Sequence, residues 1–456
     1  MAQHNRQSVL FEGLFSEPVV AAFDGEAQSS DGGLLLLGAI DRRIGLTEAL
    51  GACIPDERDA ARVEHTHLDL LRQRVFSIAA GYEDANDAAR TACDPVLKEA
   101  CGRRALEGRS LGSQPTLSRF ERSHSGRAIV ALGRRLETFV IARHRRRLGK
   151  WVRLVTIELD PTHDPTHGQQ AFAFFNGHYD CSCYLPPLGF LSFDDEPEQY
   201  LFSARLRPGT AYCPRTAIPL LRRTILEVRR KFPRARIRVR LDGGFACPAI
   251  LDLLDEIADE YVVNMPSNAR LLAAAEPLMV WARQYSEILG ETAHLFGEVR
   301  YAAESWSRER RVIIKAEVVR SPGHEPKDNP RFVVAKLPRH ASESAYGVHC
   351  GRGDIENRIK ELKDGVKIDR TSTSEFLANQ FRVLLAATAY VMFQELRLAA
   401  RPIAEFAKAQ VITLRERLLK IGARVVESVR RIALHFPTAY PWAGSWRMLV
   451  RALGAT

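Results

Sequence analysis

The chain has 456 residues, more than one hydrophobic core usually serves, so two or more structural units are expected. Apolar residues make up 46% and charged residues 26%, ordinary globular values that exclude a largely disordered or fibrous protein. The formal charge of +10 favours a polyanionic partner, because Lys and Arg neutralise phosphates and release condensed counterions.

The opening MAQHNRQSVLFEGLF lacks the basic start, apolar run and small-residue cleavage site of a secretory signal. The eight cysteines form no C-x-x-C pair, so reduced thiols in a cytoplasm are expected, without disulfides or a structural zinc site. Residues 1–150 read as helical, with apolar positions three and four apart in segments such as HLDLLRQRVFSIAAGY. In SQPTLSRFERS, Pro115-Thr116 opens a helix whose sequence suits either a scaffold or a DNA-facing role. The region ends in Arg143-His144-Arg145-Arg146-Arg147, which reads equally as a solvated helix end or a phosphate contact.

From Trp151 the apolar period becomes two, through WVRLVTIELD, AFAFFNGHYD, PLGFLSF and QYLFSARL, a run of strands. A helix over 214–232, the strand RIRVRLD, a helix over 249–258 and the strand EYVVNM then alternate, which implies parallel pairing. Residues 151–266 therefore begin an α/β core. Residues 267–345 read as an inserted β-rich unit, with RRVIIKAEVV and RFVVAKL flanking the turn-rich SPGHEPKDNP. Helical spacing resumes over 346–400, and 401–456 reads as a short basic helical tail. The most apolar window, 376–393, contains Asn379, Gln380 and Arg382, so it reads as a core helix and no membrane partner is expected.

Two strands end in a carboxylate, RLVTIELD at Asp160 and RIRVRLD at Asp242. Parallel neighbours share one C-terminal edge, where both acids can meet in a crevice. Glu356 is the candidate third acid, because successive offsets of three, four and seven put His349, Arg352, Glu356 and Lys363 on one helix face. Oxygen ligands of this kind suit Mg²⁺, and a pair of ions can activate water and stabilise the leaving oxygen of a phosphodiester; Mn²⁺ is the natural substitute. By spacing alone, turn aspartates and a salt-bridged helix face are the better reading.

Other features carry competing readings. Ten basic residues, Arg215, Arg222, Arg223, Arg229, Arg230, Lys231, Arg234, Arg236, Arg238 and Arg240, face only Glu227 in 215–240; Arg229, Arg230 and Lys231 are the DNA-backbone candidates. Trp306 beside Arg308, Arg310 and Arg311 suits either base stacking or a small local core. His163 and His167 read as turn residues, Cys181-Ser182-Cys183 as packing, and Arg352-Gly353-Asp354 as a coincidental adhesion tripeptide. No P-loop and no G-x-G-x-x-G is present, so no nucleotide cofactor is expected.

These segments resemble DDE transposases of bacterial insertion sequences with the Y-R-E-K signature, the insertion sequence 1380 family. The pattern Y-x2-R-x3-E-x6-K falls on His349, Arg352, Glu356 and Lys363, with His349 in place of the tyrosine. GRGDIENRIKELK, IELDPTHDPTHGQQ, FFNGHYDCSCYLP, SARLRPG, RVRLDGGF, RTSTSEFLANQFR, DLLRQRVFSIAAGYEDANDAAR and SQPTLSRF carry the likeness over nearly the whole length. The resemblance implies an RNase H-like α/β core with an inserted β-rich domain and a helical N-terminal DNA-binding domain. It also implies Asp160, Asp242 and Glu356 as metal ligands, and double-stranded DNA with terminal inverted repeats as substrate. The implied reaction is nicking followed by strand transfer from the freed 3′-hydroxyl, by a homodimer that brings two ends together. In the tandem DPTH-DPTH, Asp164 competes with Asp160, and both the family pattern and the end of the apolar run favour Asp160. The alternatives are another nuclease of that fold and a DNA-binding descendant without catalysis.

Overall fold

The structure, a computed structural model, describes residues 9–11, 13–211, 213–337 and 340–454; residues 1–8 of the opening stretch and the side chains of Cys213 and Arg215 lie outside them. The chain divides into two compact units. Unit 1 is residues up to Ser123, Asp364–Val366 and those from Thr388, and unit 2 is His124–Lys363 with Lys367–Ala387.

Unit 1 begins with strands β1 (Val9–Phe11), β2 (Val19–Ala21) and β3 (Gln28–Ser29). Six helices follow: α1 (Leu35–Ile44), α2 (Leu46–Gly51), α3 (His67–Ala79), α4 (Ala88–Thr91), α5 (Pro95–Ala100) and α6 (Gln114–Arg122). The helical period of HLDLLRQRVFSIA is realised in α3. Thr66 and Asp69 close its first turn as a capping box, and Leu70, Leu71, Val75, Phe76 and Ile78 enter the core. Arg74 is fully buried against Glu121 of α6 at 2.6 Å. The C-terminal part departs from the helical reading. Between α14 (Val411–Leu414) and α15 (Ala443–Ala452) lies a hairpin of β16 (Ala423–Glu427) and β17 (Ile432–His435), and β16 pairs with β3. The alternation of ARVVE, buried at Ala423 and Val425, is a strand pattern too short to stand out among basic residues.

Unit 2 opens with α7 (Gly126–Leu148) and β4 (Leu154–Pro161). The short strands β5 (Asp164–Pro165), β6 (Phe174–Asn176) and β7 (Cys181–Tyr184) form a small sheet of order β5-β7-β6. Then come β8 (Pro187–Phe193), β9 (Tyr200–Ala204), α8 (Cys213–Lys231), β10 (Arg236–Leu241), α9 (Pro248–Ile257) and β11 (Glu260–Met265). After them follow α10 (Ala269–Leu289), β12 (Ala293–Tyr301), β13 (Arg310–Val319), β14 (Lys327–Asp328), β15 (Arg331–Lys336), α11 (Ser342–Cys350) and α12 (Gly353–Val366). The main sheet runs β12-β13-β15-β11-β10-β4-β8-β9, with β14 beside β13. Its centre, β11-β10-β4, is parallel as the strand-helix alternation implies, and the flanking pairs are antiparallel. The strands of 267–345 do not make a sheet of their own; β15 pairs with β11, so they widen the central sheet.

Strand β4 is buried on both faces except at its ends, as a central strand should be. Strand β10 alternates: Ile237, Val239 and Leu241 are buried on one face, and Arg236, Arg238 and Arg240 line the other. The neighbouring strands supply the counter-charges, because register sets Arg240 opposite Glu158 and Arg238 opposite Glu260. Helix α13 (Phe376–Ala399) is the one described helix long and apolar enough to cross a membrane, and 89% of its most apolar window is buried. Its polar residues are partnered: Asn379 donates to Gln170 and to the Thr373 carbonyl, Gln380 accepts from Leu206 N at 2.6 Å, and Arg382 donates to Ser372. This is a core helix.

Candidate catalytic site

The sheet geometry brings the two aspartates together. Leu241 of β10 is paired with Leu159 of β4, so Asp160 and Asp242 are the next residues on adjacent parallel strands, at the same C-terminal edge. Asp242 leaves the strand to cap a short 3-10 turn over Gly243–Phe245, accepting from Gly244 N at 3.0 Å, which holds its carboxylate at the edge. Asp160 is buried and accepts from Arg352 Nη2 at 3.4 Å. Burial pushes the Asp160 carboxyl up to about 7; Asp242 and Glu356 add to the rise and Arg352 opposes it. Asp242 is likewise raised by burial, against Arg352, its backbone donors and the buried Arg207. Glu356, exposed in the first turn of α12, is thus near enough to act on Asp160 through its charge.

The predicted helix face is split at its start. His349 is in the last turn of α11, and Arg352 stands at the turn into α12 as its N-cap residue. Lys363, in the last turns of α12, donates to the His163 carbonyl at 2.7 Å and ties the helix to the loop after β4. Two buried polar atoms at this junction have no hydrogen-bond partner, His349 Nδ1 and Arg352 Nε. Burial, with Arg352, Arg240 and Arg331 nearby, pushes the His349 imidazole down to about 4, so it is neutral at physiological pH, as the tyrosine of the signature would be. Arg240 runs beneath the junction, ion-paired with the fully buried Glu158 and donating to the Val348 carbonyl at 3.2 Å. Gly351 makes room for it: a Cβ there would sit 2.3 Å from Arg240 Nη1.

Asp164 does not join this group. It lies in β5, buried, with both carboxylate oxygens accepting from the Thr371 hydroxyl at 3.1 Å. Burial pushes it up to about 8, so at neutral pH it is mostly protonated and an amide is a close mimic. Asp164→Asn should therefore retain its fold and any activity within about tenfold. A carboxyl raised in the fold binds a proton that the unfolded chain has released, so its contribution to stability falls as pH rises between about 4 and 8. Melting temperatures measured from pH 5 to 8 should show wild type losing ground to Asp164→Asn; a constant difference would contradict this protonation state.

The remaining sequence candidates lie elsewhere. The end of α8 leads directly into the start of β10, so Arg229, Arg230 and Lys231 sit at the sheet edge opposite Asp242. Much of the basic crowd of 215–240 is paired within the fold: Arg222 with Glu256, Arg223 with Glu137, Arg229 with Asp259, Arg230 with Glu227, and Arg236 and Arg238 with Glu260. None of these partners but Glu227 falls within the segment, which is why the run looked unopposed. Arg147 of the other basic run grips Glu196 with two bonds of 2.7 Å. Trp306 meets Tyr301 edge-on at 5.4 Å and carries Arg310 over its ring at 5.1 Å. Arg310 is itself buried against Asp252 and Asp255, and Arg311 pairs with Glu298. These contacts fit a packed tryptophan. His163 stacks on Tyr179 at 4.5 Å, and His167 lines an open pocket of about 580 Å³ with Gln170, Lys367 and Arg370.

Sequence reasoning did not single out Arg207, which donates to the Leu185 carbonyl and to Thr216 beside Asp242. Its only signal was membership of the segment SARLRPG. The neighbouring Gly209 is packed so closely on the β6-β7 hairpin that a Cβ would lie 2.3 Å from the Cys183 carbonyl oxygen.

Two aspartates at one edge and a glutamate whose charge reaches Asp160 make an all-oxygen, acidic donor set, opposed by the charge of Arg352. The profile of the family described as Transposase DDE domain group 1 matches residues 11–455. The chain belongs to that family. Among curated proteins, none matches it. Members of the DDE transposase family act on DNA and generally use divalent metals. In this transposase-family chain the donor types fit a hard cation, which Asp160 and its acidic neighbours would hold in place of the opposing Arg352 charge. Among the described residues no three His, Cys, Asp or Glu side chains form a ligating cluster.

Proposed function

We propose that this chain is a DNA transposase that binds terminal inverted repeats and cuts and joins DNA by metal-dependent phosphodiester chemistry at Asp160, Asp242 and Glu356. The observation that carries the reading is the register of β4 and β10, which aligns the two aspartates, with the charge of Glu356 reaching Asp160. The strand order β9-β8-β4-β10-β11, three antiparallel strands followed by two parallel additions, supports an RNase H-like core. The signature matched through His349, Arg352, Glu356 and Lys363 supports the insertion sequence 1380 type.

Asp160, Asp242 and Glu356 are the residues that would hold Mg²⁺, two ions or with Mn²⁺ as substitute; bound there, the metal lowers the pKa of a water and neutralises charge on the leaving oxygen. Arg352 and the neutral His349 are partly exposed at this junction, where a guanidinium and an imidazole are suited to a phosphate oxygen. Lys363 braces α12 on the loop after β4, which fixes the distance of Glu356 from the sheet edge. Water attacks phosphorus and the 3′-oxygen departs with a proton; that 3′-hydroxyl then attacks a target phosphodiester, whose own 3′-oxygen leaves. No covalent bond to the protein is needed. Residues 1–150 are the proposed end-binding region.

The test uses the DNA on either side of the reading frame, where this reading expects inverted repeats. Purified protein should release 3′-hydroxyl ends from that DNA with Mg²⁺ or Mn²⁺ and none with EDTA. Binding without cleavage under every metal would favour a transposase-derived DNA-binding protein, and cleavage indifferent to the repeats would favour a general nuclease.

A further inference from the structure

The main sheet ends differently on its two sides. Strand β9 at one end is buried at all five residues. Strand β12 at the other end is nine residues long, contains no proline and no bulge against β13, and among the described residues no strand pairs with its outer edge. His294, Glu298 and Arg300 stand exposed along it. A long open edge offers unpaired N–H and C=O groups to another strand, a feature that single-chain proteins usually cover.

Helix α10 lies on one face of this edge, with Gly297 of β12 fitted under Leu278. Its buried side is Leu271, Ala275, Met279, Ala282 and Ser286. One flank is charged and tied inward, Arg283 bridging Glu276 and Asp328 next to β13. On the other flank Trp281, Tyr285 and Ile288 follow at helical spacing and are 57%, 46% and 79% exposed. Arg270 on that same flank reaches over Tyr301 of β12, and the opposite flank is tied towards β14 and β13, so the stripe is on the side away from the sheet interior. With Leu289, 63% exposed, these side chains leave on the order of 400 Å² of apolar surface in water, about half of one side of a standard interface.

We propose that the β12 edge and the Trp281–Tyr285–Ile288 stripe form the interface with a second copy of this chain, related by a twofold axis and pairing β12 antiparallel with itself. The occupant follows from the surface. The Trp281–Tyr285–Ile288 stripe carries no charge to repel a second copy, and Arg270 beside it is already engaged by the Tyr301 ring and the Ala302 carbonyl. A strand is complementary to itself when antiparallel, and in the register centred on Val299 each Glu298 faces the Arg300 of the second copy. The inference is independent of the catalytic reading, because nothing in it uses DNA or metal.

Sedimentation of the full-length protein without DNA tests it. Wild type should be dimeric at micromolar concentration. Ile288→Glu and Trp281→Glu, at exposed positions, should each raise the dissociation constant more than tenfold while leaving circular dichroism and melting of the monomer unchanged, each change counting twice across the twofold. Arg300→Glu, which sets carboxylates opposite each other in that register, should weaken the dimer. A wild type monomeric at 100-fold higher concentration, or a dimer indifferent to all these variants, would overturn the proposal.

Discussion

Asp160→Asn, Asp242→Asn and Glu356→Gln should each lower metal-dependent cleavage of end DNA by about 10³-fold or more, because loss of one ligand forfeits several kcal/mol of charge stabilisation in the transition state, and each 1.4 kcal/mol is about tenfold. The amides keep the shape of the acids, so packing at the β4 and β10 ends is preserved. Binding to end DNA should stay within a few-fold or tighten, since negative charge is removed beside phosphates. Single-turnover cleavage and equilibrium binding on the same preparations separate the two effects. Any one of the three that still cleaves at more than a tenth of the wild-type rate does not belong to the site. Asp164→Asn is the matched control, a buried carboxyl only four residues from Asp160 that points to Thr371 instead.

Glu158→Leu should destabilise unit 2 by about 3 to 5 kcal/mol, because it strands the guanidinium of Arg240 in the sheet interior. Arg240 is 12% exposed and Glu158 not at all, so neither charge can turn to water if its partner is lost. The pair itself adds little net stability, since taking both ions out of water roughly cancels their attraction. Glu158→Leu with Arg240→Leu should therefore recover most of the loss, and urea unfolding of both variants would measure it. The double variant should still weaken cleavage, as Arg240 supports the Val348 carbonyl under the His349–Arg352 junction. A cost below about 1 kcal/mol for the single change would mean the pair is solvated.

What the sequence made legible was whatever depends on period and local order. Alternation placed β4 and β10, the strand-helix alternation implied their parallel pairing, and strand ends pointed to Asp160 and Asp242. Long-range pairing was hidden. The arginines of RIRVRL read as a basic surface because their counter-charges, Glu158 and Glu260, come from other strands. For the same reason 267–345 read as a separate β unit: nothing local reveals that RFVVAK pairs with EYVVNM. The helix face of His349, Arg352, Glu356 and Lys363 was legible as a pattern, yet the chain breaks it at Gly351, where Arg240 needs the space.

The central claim is that Asp242 ligates a metal ion used in cutting DNA, and exchange of the ligand atom tests it most directly. Asp242→Cys should bind end DNA, fail to cleave it with Mg²⁺, which avoids sulfur, and regain measurable cleavage with Mn²⁺, which accepts it. Wild type should cleave with either ion. A cysteine variant that cleaves equally with both ions, or stays inactive with Mn²⁺ although folded and bound to DNA, would contradict metal ligation by Asp242.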